Sequence, residues 1–519
     1  MDIFHFTRRG FLRGALACSA AATYPGVTWS QDNQMLRLRS RRDIQVIDPA
    51  FMIGDMEIDL QYACLGSLAV YSRKDGELSW VPSDFVESVE QVDPLHIDFR
   101  LRPGIMWSGD FGELTSEDVK FSYERIADPA NEAAWKDKWK ALDRVDIKDK
   151  YSGTIVLKEP FAPLFLTTIC DGVGSILSKA AVEKVGGKFT TEFPAVCGPY
   201  IIQEWVPKQR VDLARNPLWN GPQPEFEQVR FIIIEDDKSA ELAFESGDVD
   251  FTGVSEERFA QYKENPPADA ELYQGPGLWW TWMGMNTEHP KLQDKRVRQA
   301  IQHAVDVGAI IEAAYGGLAA RASGVVPVGL IGHRESTNFA TPDPDKARAL
   351  LAEAGVNGLS LDLNILNETE FLTAAQVVQA NLADIGITIN IVPLDPGPYW
   401  IMGKEAEGEE WKDLQLWIMQ FGDAPDPSQM TQWYIGDQVG IWNWERWRDE
   451  EFDRLHDAAL TEADPAKRAE MYVRMQEIME DTAAYVWITF RTANIVYRSF
   501  LQPEILPPDH VYVQWFKRA

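Results

Sequence analysis

The sequence predicts a mixed α/β fold (α/β with α+β character), because segments typical of short strands alternate with segments typical of helices through most of its 519 residues. Residues 95–101 alternate strictly between apolar and polar side chains, as a half-buried strand does. Residues 375–385 carry apolar side chains at helical spacing, and after Gly386 the run 387–391 switches to a period of two. A helix that leads directly into a strand is typical of α/β proteins.

The N-terminus predicts an export signal (residues 1–30). Arg8 and Arg9 precede a short, alanine-rich apolar run at residues 15–22, which is the order of a basic and an apolar region in such signals. The arginine pair predicts export by the twin-arginine pathway. The apolar run is too short for a membrane span of about 20 residues. A basic tail ahead of a buried helix is the alternative, and lipidation at Cys18 stays open.

The elements of the first half follow in order. The strand at residues 95–101 ends at residues 102–104, whose proline and glycine predict a turn. A helix is predicted to begin at Thr115, since a hydroxyl side chain at the cap precedes two carboxylates in the first turn. Residues 198–200 and 211–213 predict a further strand region.

The second half repeats this pattern. Residues 297–305 form one helical face, and the segment ends at Gly316. Asp345 is predicted to cap the next helix, which Gly355 closes. Proline and glycine cluster at residues 266–277, which predicts the boundary between two lobes.

Composition excludes several classes of partner. The formal net charge of −30 disfavours nucleic acid and anionic lipid as partners. No later segment is long and apolar enough to insert into a membrane, so the mature protein is expected to be soluble. It keeps Cys64, Cys170 and Cys197, an odd number, which predicts one disulfide and one free thiol in an oxidising compartment. A Cys170–Cys197 bridge would close the shorter loop, but the pairing is open.

Motifs for catalysis and for cofactor binding are absent from the sequence. It contains no nucleophile elbow, no P-loop and no dinucleotide-binding glycine motif after a strand. The seven histidines are dispersed and no two lie at ligand spacing. The sequence therefore predicts no catalytic residue, no cofactor and no metal site, with an exported enzyme as the rival interpretation.

The order of motifs along the chain resembles one known family, the extracytoplasmic solute-binding proteins of peptide-type ABC importers (family 5), which includes oligopeptide, dipeptide and nickel receptors. Each motif is short, but together they stand in order and at fitting separations. They are residues 47–49, 100–104, 114–122, 197–200, 204–205, 215–217, 243–250, Asn286, 296–300, 345–347 and 423–427.

The resemblance implies a two-lobed periplasmic receptor with a hinge, which closes over its ligand. One lobe would combine residues 31–275 with residues 485–519 and hold an inserted subdomain at about 61–185. The other lobe would span residues 276–484. The expected partners are a small peptide-like ligand and the permease subunits of an ABC importer. The receptor is expected to act as a monomer, without catalysis or cofactor.

The resemblance also implies a ligand site at Asp423. In peptide-binding members an aspartate at this position holds the α-ammonium of the ligand, and a desolvated carboxylate forms a strong charge-assisted bond to that group. Gln420, Phe421 and Gly422 precede Asp423 and are expected to line the same site. The alternative is a turn aspartate that bonds its own backbone.

Tryptophan is abundant, with 19 residues, and its rings bind apolar side chains, sugar faces or cations. Trp442 and Trp444 lie where relatives bring a loop near the cleft, and we expect them to contact the ligand. Packing in the core of a lobe is the alternative for both.

One departure from the family pattern widens the choice of ligand. Gln420 stands where peptide receptors carry tryptophan, and no arginine stands just upstream to grip a ligand carboxylate. Arg334 and Arg491 could serve instead, but the sequence selects neither. An opine, a sugar or a metal chelate is therefore the alternative to a peptide, and a sensor that binds without transport is a further one.

Overall fold

The structure is a computed structural model that describes residues 35–52, 54–422, 425–506 and 510–519. The predicted export signal at residues 1–30, with Cys18, lies outside the described residues, and so does Asp423. Among the described residues, every helix is too short or too polar to traverse a bilayer.

Strands and helices alternate along the described residues. The strands are β1 (Met35–Ser40), β2 (Ala69–Lys74), β3 (Glu77–Pro82), β4 (Val86–Asp93), β5 (His96–Leu101), β6 (Leu142–Asp149), β7 (Ser152–Leu157), β8 (Tyr200–Val206), β9 (Arg210–Arg215), β10 (Gln228–Ile233), β11 (Phe251–Gly253), β12 (Ala270–Met285), β13 (Ala320–Arg321), β14 (Leu359–Leu366), β15 (Ile387–Leu394), β16 (Leu416–Phe421), β17 (Tyr485–Arg498), β18 (Leu501–Gln502) and β19 (Lys517–Arg518). The α-helices are α1 (Asp55–Cys64), α2 (Ser116–Ala127), α3 (Lys179–Lys184), α4 (Asp237–Ser246), α5 (Glu256–Glu264), α6 (Lys295–Ala304), α7 (Val307–Tyr315), α8 (Pro344–Glu353), α9 (Thr369–Ala383), α10 (Pro396–Tyr399), α11 (Ser428–Thr431), α12 (Glu450–Thr461) and α13 (Pro465–Asp481).

One long sheet crosses both lobes of this mixed α/β fold. Its strands lie in the order β15-β14-β16-β12-β17-β11-β1-β10-β9-β8, and β13 pairs with β17. Strands β14, β15 and β16 fall within the residues predicted for the second lobe, whereas β1 and β8 to β11 fall within those predicted for the first. Strands β12 and β17 are antiparallel and run from one lobe to the other, with Ala270 opposite Arg498 and Gly284 opposite Tyr485. Their register shifts between Pro276 and Trp280, and we call this crossing the hinge.

Smaller sheets lie outside the long sheet. Strands β4, β5, β7 and β6 form an antiparallel sheet in that order, and β2 and β3 form a hairpin. Helix α2 packs against β6. These elements fall within the inserted subdomain predicted at about 61–185, although the exact bounds of the subdomain and of the lobes stay predictions.

Several elements confirm the sequence patterns. The alternating run at residues 95–101 contains β5, and Gly386 separates α9 from β15. Thr115 is the N-cap of α2, and its backbone N–H donates to the Asp118 carboxylate at 2.9 Å within a capping box. The region predicted at residues 198–200 leads into β8, and residues 211–213 lie within β9.

Two helix boundaries differ from the prediction. The N-cap of α8 is Asp343, which accepts a hydrogen bond from the backbone of Lys346, so the prediction of Asp345 as the cap was wrong. Pro344 stands at the first helical position, where a missing N–H costs nothing, and this moves the cap one residue before it. The segment that ends at Gly316 is also two helices, α6 and α7, because Asp306 caps a new helix by accepting from Ala309.

The predicted disulfide is absent, because Cys64, Cys170 and Cys197 are all free and buried. The backbone N–H of Cys197 donates to the carbonyl of Cys64 at 3.1 Å, so the fold brings the backbones of these two cysteines together. Burial raises the pKa of all three thiols, which lowers their reactivity.

Two aspartates of the family motifs hold buried arginines. Asp48 accepts two hydrogen bonds from Arg125 of α2, at 2.8 and 2.6 Å. Asp426 pairs with Arg468 of α13 at 2.9 Å and also accepts from the backbone of Ser428. Removing one partner of such a buried pair leaves an uncompensated charge. These motif positions therefore stabilise the fold.

Candidate functional site

The C-terminal end of β16 lies at the hinge. Strand β16 runs antiparallel to β12, with Leu416 opposite Met285 and Phe421 opposite Trp280, so it approaches the hinge as it ends. The predicted ligand contacts Gln420, Phe421 and Gly422 are therefore located where the two lobes meet. Asp423 is the next residue but lies outside the described residues, and its contact with a ligand stays a prediction.

Neighbouring side chains on β16 point to opposite faces of the sheet, because side chains alternate along a strand. The Gln420 amide donates to the Thr281 hydroxyl on β12 at 3.0 Å, which begins a polar face. The Phe421 ring lies 5.9 Å from the Trp280 ring, which belongs to an aromatic face.

Four half-buried rings form an aromatic cluster beside the end of β16. Phe421 stacks with Trp400 at 6.2 Å and meets Trp433 and Trp442 edge to face at 5.9 and 5.7 Å. These are the separations at which aromatic rings attract each other beyond their buried area. The ammonium of Lys404 lies 4.1 Å from the Trp442 ring centre and caps one side of the cluster. The remaining exposed ring surface can receive an apolar or flat group of a ligand.

Trp444 lies behind this cluster. Its side chain is only 1 % exposed, its ring stacks 6.3 Å from the ring of Trp442, and its indole N–H donates to the carbonyl of Ile441 at 3.0 Å. Ligand contact by Trp442 and Trp444 stays a prediction, and of the two only Trp442 has appreciable ring surface exposed.

Packing against Trp279 explains why a glycine stands at position 422. A Cβ atom at this position would overlap the indole ring of Trp279, which covers the backbone after β16. The absence of a side chain therefore lets Trp279 close over the chain just before Asp423.

A buried carboxyl group lies beneath the aromatic face, and sequence reasoning missed it. Glu445 is 1 % exposed and accepts a hydrogen bond from the Trp282 indole at 2.8 Å. Burial raises its pKa from 4.5 to about 8, because no cation neutralises it among the described residues. No pattern around position 445 would have indicated this role, since its partner is 163 residues away.

The polar face carries further groups, of which the sequence had indicated only Arg491. Thr489 on β17 lies directly opposite Thr281 on β12, and the Tyr315 hydroxyl at the end of α7 lies near Thr281. Arg491 follows on β17, with its Nε atom 3.9 Å from an oxygen of Glu256 on α5. Arginine 491 was one of two candidates for holding a ligand carboxylate, and the fold places it at the hinge.

A second acidic residue, Glu370, lies near Arg491. Glu370 in the first turn of α9 is partly buried, which raises its pKa, and the nearby Arg491 opposes this shift. Within the part of the chain that the structure describes, no group of three His, Cys, Asp or Glu side chains could hold a metal ion.

Comparisons with known proteins agree with this architecture. Residues 81–440 match the family model for bacterial extracellular solute-binding proteins, family 5 Middle. The Probable D,D-dipeptide-binding periplasmic protein DdpA of Escherichia coli (strain K12) is 26 % identical over 494 residues, covering 91 % of this chain and 92 % of that protein. The glutathione-binding protein GsiB of the same strain is 25 % identical over 405 residues, covering 76 % of this chain and 77 % of that protein. The structure of HbpA2 from Haemophilus parasuis superposes with a TM-score of 0.82 at 22 % identity, over 93 % of this chain and all of that one.

Proposed function

Because this chain belongs to family 5 of the bacterial extracellular solute-binding proteins, we propose that it binds a peptide or a similar amine-bearing small solute between its lobes for an ABC importer. The observation that carries the proposal is the position of β16, whose C-terminal end reaches the hinge directly before Asp423. The aromatic cluster stands beside this end and offers exposed ring surface to a ligand.

The ligand's amine is assigned to Asp423 in this proposal. A carboxylate at the meeting point of two lobes becomes desolvated when they close, and its hydrogen bond to an ammonium then strengthens. The relatives named above support a peptide-like ligand, since their names describe D,D-dipeptide and glutathione binding. The rings of Phe421 and Trp442 would pack against the apolar part of the same ligand.

Lobe closure would couple capture to transport. A ligand that contacts both lobes only in the closed state shifts the population towards that state, and the permease can recognise the resulting shape. The two hinge strands would permit this motion because, among the described residues, β12 and β17 alone connect the long sheet across the proposed lobes. The receptor is proposed to act as a monomer in the periplasm after twin-arginine export, without catalysis.

A different ligand class has one observation in its favour. Gln420 binds Thr281 and offers no ring at the position where peptide receptors carry tryptophan. An opine, a sugar or a metal chelate would therefore be the alternative occupant of the same site.

The ligand itself provides the test. Mass spectrometry of small molecules released from the purified protein on denaturation is expected to find a peptide or another amine-bearing solute. Calorimetry with a D,D-dipeptide such as D-alanyl-D-alanine, and with glutathione, would then measure binding in solution, with one ligand per chain expected. A bound sugar or chelate without an amine would refute the ligand class. Conversion of the ligand into a product would show an enzyme instead of a receptor.

A further inference from the structure

Polar groups on three adjacent strands point to one side of the sheet at the hinge. Gln420, Thr281 and Thr489 lie side by side on β16, β12 and β17, and Gln420 donates to Thr281. Arg491 follows Thr489 by two residues, so its side chain leaves the strand on the same face. Tyr315 reaches this row from the end of α7 and comes near Thr281. The result is a polar strip that ends at the interlobe space.

Two buried hydroxyl groups of this strip make no well-formed hydrogen bond, although that of Tyr315 lies close to Thr281. Tyr315 is 5 % exposed and Thr489 is 1 % exposed, yet neither hydroxyl makes a hydrogen bond of normal geometry with any described residue. The neighbouring Thr281 oxygen already accepts from Gln420. Buried hydroxyls are normally satisfied, because an unpaired one costs about 1–3 kcal/mol. Two of them side by side indicate a place for an acceptor that the chain does not supply.

Arg491 provides the charge at the same place. Its side chain is 41 % exposed, and among the described residues the one carboxylate within ion-pair distance is Glu256, at 3.9 Å. This separation is too long for a hydrogen bond, so the guanidinium keeps its donors available.

The other two arginines of this region are already engaged. Arg334 pairs with the buried Glu480 at 2.5 Å. Arg321 on β13 lies opposite Thr489 of β17, but its half-buried side chain donates to the carbonyl of Phe339 at 3.1 Å and lines a narrow space with Trp487. Of these three arginines, only Arg491 combines exposure at the hinge with free donors.

The groups that converge here are hydrogen-bond donors. A guanidinium donates in a planar fork that matches a carboxylate, and the hydroxyls of tyrosine and threonine donate single hydrogen bonds. Burial raises the pKa of Tyr315, which keeps its hydroxyl protonated and able to donate. Glu256 and Glu370 flank Arg491, and burial raises the pKa of Glu370, which favours the neutral form of that acid beside the guanidinium.

We propose that Arg491, Tyr315 and Thr489 form the subsite that binds the carboxylate of the captured solute. This inference rests on the proposed function and narrows it to ligands that carry both an amine and a carboxylate. Lobe closure would desolvate the guanidinium, because Arg491 lies on a hinge strand between Glu256 of the first lobe and Glu370 of the second. The missing arginine upstream of Gln420 is thereby replaced from a different strand.

The test compares a dipeptide with its C-terminal amide, which lacks the charged carboxylate. D-alanyl-D-alanine and D-alanyl-D-alanine amide would be titrated by calorimetry into the full-length mature protein and into R491Q, Y315F and T489V. The wild type is expected to bind the acid at least about tenfold more tightly than the amide. R491Q should lose this preference through weaker binding of the acid, with the affinity for the amide unchanged.

The two hydroxyl variants separate a ligand role from a structural one. Y315F and T489V should weaken binding of the acid and leave the melting temperature unchanged or raised, because neither hydroxyl makes a well-formed hydrogen bond in the free protein. R296Q is the matched control, since Arg296 is an exposed arginine of α6 that pairs with its neighbour Asp294, and it should keep the preference.

Each outcome decides one proposal. If R491Q still prefers the acid as strongly as the wild type, or if the wild type binds acid and amide equally, the carboxylate subsite is refuted while peptide binding stands. If the wild type binds neither the acid nor the amide, and the molecule found by mass spectrometry carries neither an amine nor a carboxylate, the proposed function and this inference both fail.

Discussion

Glu445 shows how a single residue acquires unusual chemistry from its position. Its carboxyl group lies under the aromatic face with the indole of Trp282 as its donor, and it borders Tyr434 and Tyr485. Burial without a cation raises its pKa to about 8, so the folded protein holds this group protonated at neutral pH. The loop that carries Glu445 also carries Trp442, so the stability of this group bears directly on the shape of the site.

The raised pKa of Glu445 predicts a pH-dependent stability. The unfolded chain ionises this group near pH 4.5 and the folded chain only near pH 8, so the stabilisation is complete below pH 4.5 and is lost as the pH rises to about 8. Between these values the free energy of unfolding should fall by about 1.4 kcal/mol per pH unit relative to Glu445→Gln. Urea unfolding at pH 5, 6.5 and 8 measures this difference. Glu450→Gln, at an exposed position, is the control and should behave as the wild type. Parallel pH profiles for wild type and Glu445→Gln would contradict the prediction.

The proposed role of Asp423 predicts a loss of ligand affinity when its carboxylate is removed. Asp423→Ala should weaken binding of an amine-bearing ligand by about 3 kcal/mol, because the ligand's buried ammonium loses its partner. Calorimetry with the ligand identified by mass spectrometry measures this loss. Asp413→Ala removes an exposed carboxylate before the same strand and should leave the affinity unchanged. An equal affinity for wild type and Asp423→Ala would remove Asp423 from the site.

At the scale of elements, polar side chains decide where helices begin. Asp306, Asp343 and Asp449 each accept a hydrogen bond from the backbone of the first helical turn, and Thr115 does so within a capping box. Such caps satisfy N–H groups that have no partner inside the helix. The cap that breaks the chain at Asp306 separates α6 from α7, which places Tyr315 at the end of its own helix beside the hinge.

The two aspartates that flank Pro344 provide a matched test of capping. Asp343→Ala should destabilise the start of α8 by about 1 kcal/mol, because the backbone N–H of Lys346 loses its acceptor. Asp345→Ala removes only an exposed ion pair with Arg348 and should destabilise the helix by only about 0.3 kcal/mol. Hydrogen exchange followed by mass spectrometry would report both, as faster exchange of the first amides of α8 in Asp343→Ala alone. Equal exchange in the two variants would contradict the assignment of the cap.

At the scale of the whole molecule, two strands connect the lobes in one continuous sheet. Strands β12 and β17 stay paired on both sides of the hinge, and their register shifts at the crossing. The hydrogen bonds between β12 and β17 therefore restrict the relative orientation of the lobes. The irregular segment between Pro276 and Trp280 allows the backbone to bend. Both proposed ends of the ligand site, after β16 and at Arg491, lie beside this segment.

Closure of the lobes predicts a measurable change of shape. Addition of the identified ligand should reduce the radius of gyration in small-angle X-ray scattering, because a bound solute stabilises the closed state. Asp423→Ala at the same ligand concentration should keep the larger radius. An unchanged radius for the wild type at saturation would show that binding does not close the lobes.

The sequence by itself determined the mixed α/β class, most of the helix and strand segments, and the family. These properties depend on periodicity and on short motifs, which neighbouring residues produce together, so β5, α2 and the switch from α9 to β15 could be predicted. The family motifs also predicted a ligand site at the end of β16. The sequence did not identify the correct N-cap where two candidate residues lie close together. Asp343 and Asp345 both fit the start of α8, and Pro344 between them makes Asp343 the cap.

Only the tertiary structure decided which distant residues meet. It left the three described cysteines as free thiols, distinguished the half-buried Trp442 from the enclosed Trp444, and paired Arg334 with the buried Glu480. It also brought Tyr315 and Thr489 to the hinge beside Arg491, across 176 residues of chain. The physical reason is that burial and charge pairing depend on contacts between elements, which no periodicity in the chain encodes.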